Sequence, residues 1–316
     1  MSAPVEKPVG LGSVPDHAWA RLHPVAQESI ARGHAAGRLN SHLLAVADAR
    51  ARFDLEMSAL TRPEVGEVSN EQIGEDHIGI RTYTLPGGLT VPAEVVIVYF
   101  HGGGWVIGSL DSADVACREL CRASGAIVIS VDYRCAPESK FPAAVDDAVS
   151  AVRAVAARFP NERLVVAGDS AGGNLATVAA IFLRDSGESL IDRQLLIYPV
   201  TTCDLDIGFD MDFEGISLYF DEMLWHQELY LADSHLRTDS RVAPLGADLR
   251  GLPPVTMVLA ECDPITAQGR LYAQALRDAG VDVRERTFDH MFHGFFGLDQ
   301  LLPEAREAME WIVQSL

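Results

Sequence analysis

The string Gly168-Asp169-Ser170-Ala171-Gly172-Gly173 follows an apolar run, Leu164-Val165-Val166-Ala167, and opens a small-residue run of helical character. A serine between glycines at such a junction is the pattern of a nucleophile elbow. The tight turn from strand to helix strains the serine backbone, the glycines remove side chains that would collide, and the hydroxyl is pushed out for attack. Upstream, His101-Gly102-Gly103-Gly104 ends another apolar run. Bare backbone there lets N–H groups approach a substrate and hold a developing oxyanion. The donors expected from these strings are the amides of Gly102, Gly103 and Ala171, each worth about 3 kcal/mol in a transition state. Either string alone also fits a plain, tightly packed turn; together they point to a serine hydrolase.

Attack on an acyl carbon further needs a base for the serine proton and a group to orient that base. Asp263, in Glu261-Cys262-Asp263-Pro264, follows the apolar run 255–259, at a strand's carboxyl end where active-site residues of open α/β sheets gather. An aspartate before proline can also simply start a turn. His293, in Met291-Phe292-His293-Gly294-Phe295-Phe296, lies between the last strand pattern (281–287) and the C-terminal helix. A histidine among bulky apolar residues is often a satisfied core side chain, but Gly294 permits a tight loop and the chain order Ser, Asp, His is complete. His290, with Asp289 beside it, is the competing base.

These residues need a rigid frame. The continuously apolar runs 93–100, 126–131, 164–167, 194–198 and 255–259 predict buried strands, and the helical patterns 112–124, 143–158, 173–184 and 266–279 lie between them. Such alternation predicts an α/β fold, a mostly parallel central sheet with helices on both faces. Residues 66–85 add short extended runs before the turn Pro86-Gly87-Gly88. Two stretches break the alternation: an N-terminal helical block within 1–60, and residues 203–237, rich in acidic and aromatic side chains. Both are expected to cap a core formed by 61–202 and 238–316, with the second a lid over a pocket unless it is an ordinary packed helical pair. Trp105, Tyr198, Phe209, Phe213 and Trp225 are the expected pocket-lining side chains.

With 48% hydrophobic and 22% charged residues in 316, the chain can bury a large core, and its formal net charge of −20 disfavours nucleic acid as a partner. Arginine supplies almost all the positive charge. The five cysteines (Cys117, Cys121, Cys135, Cys203, Cys262) are odd in number and lack paired metal-site spacing. Cys117 and Cys121, one helical turn apart, find no companion pair to complete a site, so reduced thiols in a cytoplasmic protein are expected. Residues 1–10 do not form a signal peptide pattern, and no run approaches the ~20 apolar residues of a membrane span. The pattern at 281–287 reads as a sheet edge open to homodimer pairing.

His101-Gly102-Gly103-Gly104-Trp105, Tyr133-Arg134-Cys135-Ala136-Pro137-Glu138, Phe141-Pro142-Ala143-Ala144, the 168–173 turn, Asp263-Pro264-Ile265 and His293-Gly294-Phe295 resemble, in that order, the bacterial hormone-sensitive-lipase-like (family IV) carboxylesterases of the α/β-hydrolase fold. The resemblance runs from about Val95 to the C-terminus, on the branch with Asp before the nucleophilic serine. It implies a carboxylesterase acting on short- to medium-chain acyl esters, a triad of Ser170, Asp263 and His293, no metal or organic cofactor, and a cap of N-terminal helices plus a later insertion. Amide, lactone or N-formyl hydrolysis by the same triad is the alternative chemistry; a non-catalytic ligand receptor on this fold is disfavoured because the base His293 is present. One departure stands out. Relatives follow Asp-Pro-Leu with a charged pair, whereas this chain reads Asp263-Pro264-Ile265-Thr266-Ala267-Gln268. Altered support for Asp263, and with it a shifted acidic limb of the rate profile, is the expectation.

Overall fold

The computed structural model describes residues 5–8, 14–90 and 94–316; Ala93 and most of residues 1–10 lie outside them. The strands are β1 (Glu67–Ile73), β2 (Ile78–Thr84), β3 (Val95–Phe100), β4 (Ile127–Asp132), β5 (Arg163–Asp169), β6 (Arg193–Ile197), β7 (Val255–Cys262) and β8 (Val283–Phe292). The helices are α1 (Asp16–Arg21), α2 (Pro24–Ala35), α3 (Val46–Ser58), α4 (Asp114–Ser124), α5 (Ala143–Arg158), α6 (Ala171–Asp185), α7 (Phe220–Tyr230), α8 (Thr266–Asp278) and α9 (Pro303–Val313).

The strands form one sheet in the order β1-β2-β4-β3-β5-β6-β7-β8. Pairing is antiparallel from β1 to β4 and parallel from β4 to β8. The reason β3 reads as an unbroken apolar run is visible in its neighbours. Val96, Val98 and Phe100 pack into the core on one sheet face, and Val95, Ile97 and Tyr99 into the core on the other. Helices cover both faces, so neither alternate set meets water. Cys117 and Cys121 of α4 are buried in the second of these cores, as small apolar side chains.

The carboxyl end of β5 runs directly into α6 with only Ser170 between, a sharper junction than the expected helix start at Gly173. A Cβ on Gly172 would collide with the carbonyl oxygen of Phe100, so only glycine lets α6 press against β3. At the far side of the sheet, β7 and β8 slip register between Ala260 and Cys262. The irregularity extends β8 to Phe292, five residues beyond the expected strand, and delivers His293 over the sheet's carboxyl edge. β8 is also an outer edge of the sheet, as the 281–287 pattern suggested.

The two stretches outside the alternation meet each other. Val14, Ala18, Trp19, Leu22 and Ala26 of the N-terminal block form a separate apolar cluster with Phe213, Ile216 and Cys262. Within 203–237 the first half is mostly turns, and only α7 is a regular α-helix. No helix among the described residues is long and apolar enough to cross a membrane.

Candidate active site

Ser170 takes φ +53° and ψ −117°, a region that costs a non-glycine residue free energy and is held by its surroundings. Those surroundings are backbone hydrogen bonds: Ser170 N–H donates to Ile197 O at 2.9 Å, and Ser170 O accepts from Val200 N–H at 3.1 Å. Its hydroxyl lies 2.9 Å from His293 Nε2, and His293 Nδ1 lies 2.8 Å from Asp263 Oδ2. Asp263 is 1% exposed, and its other oxygen accepts the Ile265 N–H at 3.0 Å. A backbone amide of its own turn thus holds the Asp263 carboxylate. Burial pushes the His293 imidazole toward neutrality, but the Asp263 charge and hydrogen bond, with Asp169 and Glu222 adding to them, outweigh it and raise its pKa above the ordinary value. His290 is elsewhere. It is exposed, its Nδ1 sits 2.6 Å from Arg21 O, and its N–H donates to Glu261 at 2.7 Å.

The oxyanion loop corrects one expectation. Gly102 N–H donates to Asp169 Oδ1 at 3.0 Å, and the same oxygen accepts the Tyr99 hydroxyl at 2.7 Å. A donor already spent on a half-buried carboxylate cannot serve an oxyanion, and Gly102 is not on the cavity wall. Gly103, Gly104 and Ser170 are on it, and the amides of Gly103, Gly104 and Ala171 have no partner among the described residues. Gly103 and Gly104 have φ +113° and +59°, left-handed conformations open to glycine at little cost. Gly104 also lacks room for a Cβ, which would strike the His226 ring. The third glycine of the string was the readable signal for this shift. Asp169, to which the sequence pattern assigned no role, fixes the loop, and burial raises its carboxyl pKa.

The serine opens into a cavity of about 620 Å³. Of the five expected pocket residues only Trp105 lines it, stacked on Tyr230 with ring centroids 4.6 Å apart. Tyr198 is buried behind the site, its ring 4.6 Å from that of His293. Phe213 belongs to the N-terminal cluster under the Arg21 guanidinium. Phe209 packs edge-on against Phe220, and Trp225 against the core. Aromatic character marked the right segment and the wrong faces. The wall comes instead from Phe53 of α3, from Ile107, and from Glu222, Met223 and His226 of α7.

A serine, histidine and aspartate in hydrogen-bonded series beside free amides is the constellation of acyl transfer. Comparison with known proteins agrees: a family described as alpha/beta hydrolase fold matches residues 97–297. The chain belongs to the hormone-sensitive-lipase-like carboxylesterases. It is 36% identical over 299 residues to an ethyl acetate hydrolase of Pseudomonas putida, covering 90% of this chain and 94% of that one. To carboxylesterase NlhH of Mycobacterium tuberculosis it is 40% identical over 223 residues, 67% of this chain and 70% of that one. Among solved structures, an ester hydrolase from the Lake Arreo metagenome superposes with a TM-score of 0.86 at 34% identity, covering 93% of this chain and 98% of that one. The hyperthermophilic esterase of Pyrobaculum calidifontis gives 0.83 at 35%, covering 93% and 97%. This carboxylesterase is an ester hydrolase on the α/β-hydrolase fold.

Proposed function

We propose that Ser170 is the nucleophile of a two-step acyl transfer, with His293 as general base and Asp263 as its orienter. His293 Nε2 takes the Ser170 proton as Oγ attacks the ester carbonyl, and the Asp263 carboxylate stabilises the imidazolium that forms. The tetrahedral oxyanion rests on the amides of Gly103, Gly104 and Ala171. His293 then protonates the departing alcohol, and water, deprotonated by the same imidazole, releases the acid from the acyl-enzyme. The observation that carries this reading is His293 bonded at once to Ser170 and Asp263.

Short- to medium-chain acyl esters are the proposed substrates, a reading supported by the cavity of about 620 Å³ and by the ethyl acetate hydrolase relative. The N-terminal helices and residues 203–237 act as the cap, since both contribute to that wall. Free thiols, four of the five buried, support a cytoplasmic setting, and the β8 edge supports a homodimer. Hydrolysis of a chain-length series is the test. Activity is expected to peak on short acyl groups, with stoichiometric organophosphate labelling of Ser170; a peak beyond about 10 carbons, too long for a pocket of ordinary size, overturns the substrate class. Absence of labelling overturns the mechanism.

A further inference from the structure

Beside Gly104, where the His226 ring packs, α7 brings to the cavity polar groups that are left unpaired. Glu222 and His226 lie one turn apart on α7, and both line the cavity that holds Ser170 and His293. Glu222 is 8% exposed, yet its carboxylate has no hydrogen bond or ion pair among the described residues. Trp105 Nε1, Ser217 Oγ, His226 Nε2 and both amide atoms of Gln227 also lack partners, and these four residues line the same cavity. The cavity's arginines are committed elsewhere. Arg38 pairs with Glu56 at 2.6 Å, and Arg52 faces Glu56 at 3.8 Å and donates to Ser41 Oγ at 2.8 Å.

A cavity made only for an alkyl chain would gain from apolar residues here, because each buried polar atom without a partner forfeits its hydration. The Glu222 carboxylate is not enclosed in this way: it opens onto the cavity, where a bound cation can reach it. His226 cannot neutralise it, since burial holds that imidazole far on the neutral side, at about 4. The field of Glu222 also reaches the catalytic base, where it helps to raise the His293 pKa. Resting on the esterase reading above, we propose that Glu222 determines specificity and that the preferred esters carry a positively charged group, an ammonium, on the acyl or the alcohol side. Bound there, the cation would take Glu222 as counter-ion. Esters with a carboxylate at that position would be rejected by like charge. The net charge of −20 steers such substrates in the same direction.

The test compares kcat/KM for matched esters by pH-stat. The acyl arm uses ethyl propanoate, the ethyl ester of β-alanine and monoethyl succinate. The alcohol arm uses propyl acetate, acetylcholine and acetylglycolate. In at least one arm the cationic ester is expected to exceed its neutral partner by about tenfold and the anionic one to fall below it by a similar factor, as for unit charges a few ångströms apart in a partly desolvated site. Glu222→Gln is expected to bring both ratios to within about twofold of unity, and rising salt to shrink them in the unmodified enzyme. Ratios near one in both arms of the unmodified enzyme overturn the proposal without any variant; so does a cation preference that survives in Glu222→Gln. Organophosphate labelling and turnover of ethyl propanoate on the same preparation separate the two readings. If both fail, the triad mechanism falls and takes this proposal with it. If both succeed and the series is flat, only the role of Glu222 falls.

Discussion

At the elbow, polar side chains are committed: Asp169 to Tyr99 and Gly102, Asp263 to Ile265 and His293, His293 to Ser170. On α7, lining the same cavity, Glu222, His226 and Gln227 carry polar atoms that the protein itself leaves unpaired. The first wall faces charge that develops during reaction, so its dipoles must already be fixed before the substrate arrives. The second faces the ground-state substrate. On the reading proposed above, its enclosed unpaired atoms cost stability in the free protein, while the open Glu222 carboxylate supplies energy of recognition.

Four experiments would break or sharpen that contrast. Ser170→Ala is expected to lower kcat by about 10⁶-fold without loss of melting temperature, because alanine fills the same space at a strained φ; retained turnover of a short-chain ester breaks the assignment. Asp263→Asn keeps the shape but removes the charge that orients His293, and an approximately 10⁴-fold fall in kcat is expected. The pH profile comes next. His293 works as a base only when neutral, so kcat/KM is expected to fall as pH drops through its raised pKa, above the ordinary histidine value. In Asp263→Asn the residual activity should show that limb at lower pH, and an unmoved limb would exclude Asp263 as its cause. The smallest effects are on stability and differ in sign between the walls. Tyr99→Phe removes a donor from half-buried Asp169 and is expected to destabilise by about 1–3 kcal/mol. His226→Leu replaces an unpartnered buried imidazole by an apolar side chain and is expected to stabilise by about 1 kcal/mol. Equal signs in denaturant titrations would erase the contrast.

Legibility in the sequence followed the same division. Ser170, Asp263 and His293 were readable because each sits just past a strand or on a glycine-marked turn, and the chemistry allows few residue types there. The strand and helix pattern was readable because β3 and the middles of β5 and β7 are buried on both faces and so are apolar. Gly102 was misjudged because a three-glycine string does not reveal which amide a neighbouring carboxylate will claim. That depended on Asp169 and Tyr99, 67 and 3 residues away along the chain and adjacent only across the sheet. Tyr198, Phe209, Phe213 and Trp225 were misplaced because an aromatic side chain suits a core as well as a pocket, and only packing decides which face of its segment looks inward.

The sequence by itself determined the order of the elements, the strained serine turn, and the proposed nucleophile, base and orienting acid of the site, since local sterics and hydrophobic periodicity act over a few residues. The tertiary structure decided which backbone amides remain free, how Asp263 is held, and that α7 and residues 215–219, rather than the turns before them, line the cavity onto which Ser170 opens. Those outcomes are set by contacts between segments distant along the chain, where a hydrogen bond made by one group is a hydrogen bond denied to another.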